Sequence, residues 1–201
     1  PKYDAALDAI LALKPLQMMP LGEMVTTITN GHTPYYHDLS TGDVPFITAE
    51  FVTDFRINYE SDKFVTNEQH ENELGKTALK NGDLLITIKG KTGNAAVVSH
   101  LPGARNINQD VGLLRLKEQY NPFYVAAFLN SVVGKELTEQ AGTGQINPFL
   151  GLGNLKSVPI PIFETARMEA VADYVKQTLE DAYFAEQESK RLLESARRAV
   201  E

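Results

Sequence analysis

The sequence predicts an α/β chain of the mixed α+β kind: a head of short strands and hairpins, followed by one long helix. Three observations carry this. Between Gly82 and His100, two apolar runs (Leu84 to Ile88 and Ala95 to Val98) flank a short tip, Lys89-Gly90-Lys91-Thr92-Gly93-Asn94; the runs have strand composition and the tip has turn composition. Asn121-Pro122 opens a stretch in which Val125, Phe128, Leu129, Val132 and Val133 share one helical face. From Glu164 to the end there is neither Pro nor Gly, so nothing interrupts a helix.

Taken in order, Ala5, Leu7, Ile10, Leu11 and Leu13 have helical spacing, and Pro15 stops that short helix. Met24 to Ile28 has strand composition, and Asn30-Gly31-His32-Thr33-Pro34 reads as a turn into a polar, aromatic loop, Tyr35 to Asp38. Val44 to Thr48 is a second strand, and Pro45 marks it as an edge or a strand start. Residues 61–79 are polar with a weak helical pattern after Thr66, and the hairpin follows. Ala104 to Asp110 leads into a strand containing Val111, Leu113, Leu114 and Leu116. After the helix at Asn121, Ala141 to Pro148 is a glycine-rich loop, and Val158-Pro159-Ile160-Pro161-Ile162 is extended.

In the last segment, Met168, Val171, Val175, Thr178, Ala182, Ala185, Ser189, Leu192, Ala196 and Ala199 follow 3-4 spacing. This is a heptad seam built mostly from small residues. A helix of that length, about 57 Å at 1.5 Å per residue, is hard to bury on a small head. The seam is therefore expected to meet a partner; the alternative is one amphipathic helix folded back on its own domain. The expected organisation is a short N-terminal helix (1–17), a head (18–163) and a helical spacer (164–201).

Hydrophobic residues make up 43% of the 201, which marks a folded rather than a disordered chain. Cysteine is absent, which excludes disulfides, thiolate metal sites and a Cys nucleophile and fits a reducing, cytoplasmic setting. No apolar run reaches the length of a membrane span. The chain starts on Pro1 without a signal peptide, so it is expected to be processed or cut from something longer. The net charge of −7 opposes simple nucleic-acid binding. Any DNA-facing surface must be a local patch or must borrow charge from a partner.

Catalytic patterns fail one by one. Gly90-Lys91-Thr92 resembles the end of a P-loop, but Leu85 stands where the first glycine belongs. His32, His37, His70 and His100 lack zinc-protease spacing, and His32 and His37 with Asp38 read as loop residues. Asn121-Pro122-Phe123-Tyr124 is one residue from the Asn-Pro-Pro-Tyr signature of adenine methyltransferases and reads better as a helix start. Asp83 and Asp110 have no Glu-x-Lys beside them to make a nuclease metal site. No catalytic residue, metal or cofactor is expected.

Several motifs, in order, resemble a known family: Gly31-His32-Thr33-Pro34, Gly42-Asp43-Val44-Pro45-Phe46-Ile47, Gly82-Asp83-Leu84-Leu85-Ile86 through Lys91-x-Gly93, Asn108-Gln109-Asp110, Gly142-Thr143-Gly144, and Val158-Pro159-Ile160-Pro161 before a long helix. Over residues 18–201 the chain is similar to the target recognition domain of the specificity (S) subunit of type I restriction-modification enzymes. The resemblance implies a non-catalytic module that reads half of a split site on double-stranded DNA. It also implies docking of adenine methyltransferase (M) subunits through paired spacer helices, and joining by restriction (R) subunits. Such subunits usually carry two recognition domains. A single set implies either a half-size chain that dimerises or the recognition part of a single-chain methyltransferase-nuclease. A scaffold module and an enzyme with an unrecognised site are the readings from other classes.

Under the DNA reading, Lys89, Lys91 and Arg105 are candidates for phosphate contacts, with Thr92 beside them at the tip. Thr33, Asn108, Gln109, Thr143 and Gln145 are candidate base readers, since amides pair with adenine. Tyr35 and Tyr36 are candidates for packing on sugars or a thymine methyl. An Asn-Gln-Asp turn equally often only satisfies backbone groups. The partner-binding candidates are Met168, Val171, Val175, Thr178, Ala182, Ala185, Leu192 and Ala196.

Overall fold

The computed structural model describes residues 2–34, 38–144 and 148–199. Helix α1 (Lys2–Ala12) leads to strand β1 (Gln17–Pro20), a single helical turn α2 (Leu21–Met24) and β2 (Val25–Asn30). Short strands follow: β3 (Val44–Ile47), β4 (Val52–Thr53), β5 (Arg56–Ile57) and β6 (Phe64–Val65). The hairpin consists of β7 (Leu84–Thr87) and β8 (Ala95–Val97), with β9 (Asn106–Ile107) and β10 (Val111–Leu116) after it. Then come α3 (Pro122–Asn130), α4 (Val132–Ala141), α5 (Leu152–Lys156), β11 (Pro159–Ile162) and α6 (Thr165–Arg198).

The centre is an antiparallel sheet in the order β2-β10-β7-β8. Its strands alternate between two apolar faces, as the period of a strand requires. Leu84, Ile86, Ile88, Ala95, Val97 and Leu114 pack under the helices with Val125 and Leu129. Leu85, Ala96, Val98, Val111 and Leu113 pack on the opposite side with Ile47 and Ile107. Both faces are covered, so the strands read as unbroken apolar runs rather than as alternating ones. The second layer is the sheet β6-β3-β9, in which β3 and β9 run parallel. Pro45 lies opposite Phe64 in the β3–β6 pair.

Several expectations change in detail. The helix expected to run through Val133 ends at Asn130. Ser131 turns extended (ψ 159°) and its hydroxyl accepts from Gly134 N to cap α4. Val132 is consequently 78% exposed rather than on the buried face. A Cβ on Gly134 would meet Phe128 O at 2.0 Å, so the two helices meet backbone to backbone. After Thr66 the chain forms a π turn (Gln69–Glu73) and a 3-10 turn (Gly75–Thr77), not a regular helix. β1 and α5 had no clear sequence signal. β1 pairs with β11, so the two ends of the head close on each other.

Helix α6 spans 34 residues, about 51 Å. It packs on α3 through the buried Ala172, with Met168 partly buried against the same core. Val175, Leu179 and Tyr183 continue that inner stripe as half-buried residues. Farther along, Arg56 pairs with Glu186 at 2.6 Å and Lys190 with Glu60 at 3.7 Å. So Met168 and Val175, expected on a partner seam, face this chain's own head. The rest of that seam (Val171, Thr178, Ala182, Ala185, Ser189, Leu192, Ala196, Ala199) is exposed. It lies roughly a quarter turn round the helix, at about 100° per residue. The inner stripe wins along this length because Ala172 lets α3 approach closely.

Candidate nucleic-acid interface

Four segments converge at one end of the central sheet: the end of β2, the turn before β10, the β7–β8 tip and the base of the glycine-rich loop. The antiparallel register dictates the first three, since β2 and β7 end where β10 and β8 begin. Gly31 N donates to Val111 O (3.2 Å) and Ile88 N to Asp110 O (2.9 Å). Asn30 Nδ2 donates to Gln109 O (3.1 Å), which ties the turn after β2 to the Asn108-Gln109-Asp110 turn. A Cβ on Gly31 would sit 1.9 Å from Ile107 O, so only glycine allows this approach.

Thr33 and Gln109 meet side chain to side chain, the Thr33 hydroxyl donating to Gln109 Oε1. Gln109 is exposed, and its amide N–H group is directed by that bond. Asn108 differs. It is 6% exposed, its Nδ2 donates to Asp110 Oδ2, and its Oδ1 accepts from Asp110 N, both at 3.1 Å. Asn108 therefore shapes the turn that presents Gln109.

At the hairpin tip, Lys89 and Lys91 are exposed and Thr92 is half-buried. Thr87 Oγ1 donates to Lys91 O (2.6 Å), and Gly90 and Gly93 adopt φ of 74° and 88°, a left-handed turn that favours glycine. Lys89 Nζ lies 3.8 Å from Asp110 Oδ1, a buried carboxylate oxygen without a hydrogen bond. Lys135 braces the tip from behind, donating to Asn94 Oδ1 (2.8 Å) and Gly93 O (3.1 Å). Thr143 is exposed at the base of the glycine-rich loop and bridged to Phe149.

Arg105 is not brought to this edge. Its Nε donates to Tyr59 O (3.2 Å) and its Nη1 to Ala104 O (2.8 Å). Tyr59 in turn donates to Ser99 O, at the other end of the hairpin. Burial pulls the Arg105 guanidinium below its ordinary pKa, with the Tyr59 phenol opposing. Tyr35, Tyr36, His37 and Gln145 lie outside the described residues. Sequence reasoning missed Phe149, which is 44% exposed. Its signal was only a lone aromatic between Pro148 and the buried Leu150.

The acids that sequence reading left without a role have structural ones. Asp83, 4% exposed, takes both Nε (2.9 Å) and Nη2 (3.1 Å) of Arg115. His32 pairs with Glu73 at 3.2 Å. Among the described residues, no group of three or more His, Asp or Glu is arranged to hold a metal ion. No helix among them is long and apolar enough to cross a membrane. Asn121 caps α3 by accepting from Phe123 N (3.0 Å), with Pro122 in the first turn. A groove of about 420 Å³ beside α6 has Glu118, Glu169 and Asp173 in its lining against the cation Lys176; this net negative charge disfavours phosphate.

The chain is similar to known proteins along most of its length. A model of the type I restriction modification DNA specificity domain matches residues 14–178. The fold is shared with the crystal structure of the HsdS subunit from Thermoanaerobacter tengcongensis (TM-score 0.58, 16% identity, 92% of this chain and 45% of that one). It is also shared with the type I S subunit from M. genitalium (0.57, 16%, 82% and 39%). The type IIG restriction endonuclease BpuSI shares it too (0.60, 10%, 87% and 28%). The chain thus spans less than half the length of these structures. A comparison with curated protein sequences finds no match. The specificity-subunit family is non-catalytic. With the family model covering the whole head (18–163) and the start of α6, the chain belongs to the type I restriction modification DNA specificity domain family.

Proposed function

We propose that this chain reads sequence on double-stranded DNA for a restriction-modification assembly and has no chemistry of its own. The observation that carries this is the meeting of Thr33, Lys89, Lys91, Gln109 and Thr143 at one sheet end in a member of a DNA specificity family. Lys89 and Lys91 position the duplex by its phosphates. Gln109, oriented by Thr33, and Thr143 read base edges. Thr92 belongs to the same surface in this reading, Tyr35, Tyr36 and Gln145 remain candidate DNA contacts from the sequence alone, and Arg105 serves the fold. The head reads one half-site. The exposed stripe of α6 (Val171, Thr178, Ala182, Ala185, Leu192, Ala196) receives a second helix and the adenine methyltransferase subunits, and restriction subunits join that assembly.

The net charge of −7 makes the methyltransferase part of the binding surface, since the edge itself offers few cations. Selection from a randomised duplex pool, with and without the methyltransferase subunit, tests the reading. Enrichment of one sequence in the assembled complex supports it; no enrichment in either sample contradicts it.

The similarity to a type IIG endonuclease favours one alternative, a recognition domain belonging to a single-chain enzyme. Light scattering separates the two: a dimer through α6 fits the half-size subunit, and a monomer fits the single-chain enzyme.

A further inference from the structure

Phe149 sits in a row with two residues already assigned to the interface. Antiparallel bridges place it directly opposite Lys89 on one side and Thr143 on the other. Directly opposed residues send their side chains to the same face of a ladder. The neighbouring residues Ile88 and Leu150 are 1% and 0% exposed, so the face bearing Lys89, Phe149 and Thr143 is the outer one. The backbone beneath the ring is pinned. Thr143 and Phe149 exchange both backbone hydrogen bonds at 2.8 Å, and Leu150 N donates to Ile88 O at 2.8 Å. The ring edge lies beside Gly151, where a Cβ would be 3.5 Å from Cε1.

Single exposed apolar side chains on a surface need no explanation. This one stands on a fixed backbone between an ammonium and a hydroxyl, at the edge that also carries Thr33 and Gln109. A DNA groove offers matching chemistry: phosphate for the ammonium, base-edge polar groups for the hydroxyl, and apolar base surface for the ring. We propose that Phe149 is a base-contacting, specificity-determining residue that sets its ring against the apolar surface of a base pair. The inference rests on the DNA reading above and extends it to a residue outside the polar set.

The test assembles the full chain, as wild type, Phe149→Leu and Phe149→Ala, with the methyltransferase subunit. Each assembly is titrated with the duplex that wild type selects and with an unrelated duplex. Phe149→Ala is expected to weaken binding to the selected duplex by about ten- to a hundredfold. Binding to the unrelated duplex and its salt slope are expected to stay within about twofold, and Phe149→Leu recovers part of the loss. Two probes separate the sources of apolar surface. Deoxyuridine in place of thymine mimics Phe149→Ala at one position if a thymine methyl is touched. A 2-aminopurine that brightens in the wild-type complex alone marks a loosened base step. Equal weakening on both duplexes, or none on either, overturns the inference. So does a loss confined to assembly with the methyltransferase, which would put the ring against protein. A wild-type assembly that selects no sequence removes the DNA reading itself, and this inference with it.

Discussion

His100 lies flat on Tyr183, with ring centroids 4.0 Å apart and planes 3° from parallel. Phe184 meets both rings edge-on. His100 adopts φ 50°, a left-handed conformation uncommon outside glycine, and it follows the hairpin end opposite the Lys89–Asn94 tip. The stack therefore ties the sheet that ends in the proposed interface to the helix proposed to carry the partner.

Tyr183→Ala is expected to remove about 0.5–1.5 kcal/mol of local coupling. Amide exchange should speed up over the distal half of α6 while the head keeps its protection. Unchanged exchange there would mean that the stack does not hold the helix.

Asp83→Asn is expected to destabilise the head by about 3 kcal/mol, because a mostly buried Arg115 loses its charge partner. The Asp83 carboxylate holds the Arg115 guanidinium above its ordinary pKa, chiefly through their hydrogen bonds and despite burial. Urea denaturation reads the effect. A midpoint shift no larger than that of a surface substitution would assign the pair no structural weight.

How legible was this in the sequence? The hairpin was legible because its strands are buried on both faces and its tip contains left-handed glycines, so run length and composition both mark it. The start of α3 was legible from Asn121-Pro122, since a cap and a first-turn Pro are local signals. The break at Ser131 was not, because Val132 and Val133 continue the apolar spacing and only packing at Gly134 forces the turn. β1 was not legible either: its partner β11 lies about 140 residues away, and strand pairing at that distance leaves no local periodicity. In α6 two stripes compete. Spacing identified the outer one, while Ala172 and its stripe form the contact with α3. At the proposed interface, residue type alone selects Lys89, Gln109 and Arg105 alike, but the fold places Arg105 toward the other end of the hairpin. Only the register of β8 and β10 separates them.

Burial pushes the Tyr59 and Tyr124 phenols up to about 12. In the unfolded chain they ionise near 10. The neutral phenol is thus favoured by folding: its contribution is complete below about pH 10 and is lost as pH rises from about 10 to about 12. Stability should fall across that window, and Tyr59→Phe with Tyr124→Phe should flatten the fall. Phenolate absorbance from all eight tyrosines at pH 10 in a folded chain would contradict this.

Lys89→Ala with Lys91→Ala is expected to weaken binding of the assembled complex to all duplexes alike. The salt slope should fall by about one unit per lost contact. Loss of Lys89 also leaves Asp110 Oδ1 without its nearby cation, so Lys91→Ala alone is the cleaner reading of phosphate contact. A change in preferred sequence without a change in slope would make these lysines readers instead.

Hydrogen exchange of the chain in its methyltransferase complex, with and without the selected duplex, bears most directly on where DNA sits. New protection is expected at residues 30–33, 88–93, 108–110 and 143–150, with none at Arg105, Tyr59 or Ser99. Protection centred on Arg105 and the far end of the hairpin, with the four converging segments unchanged, would contradict this expectation.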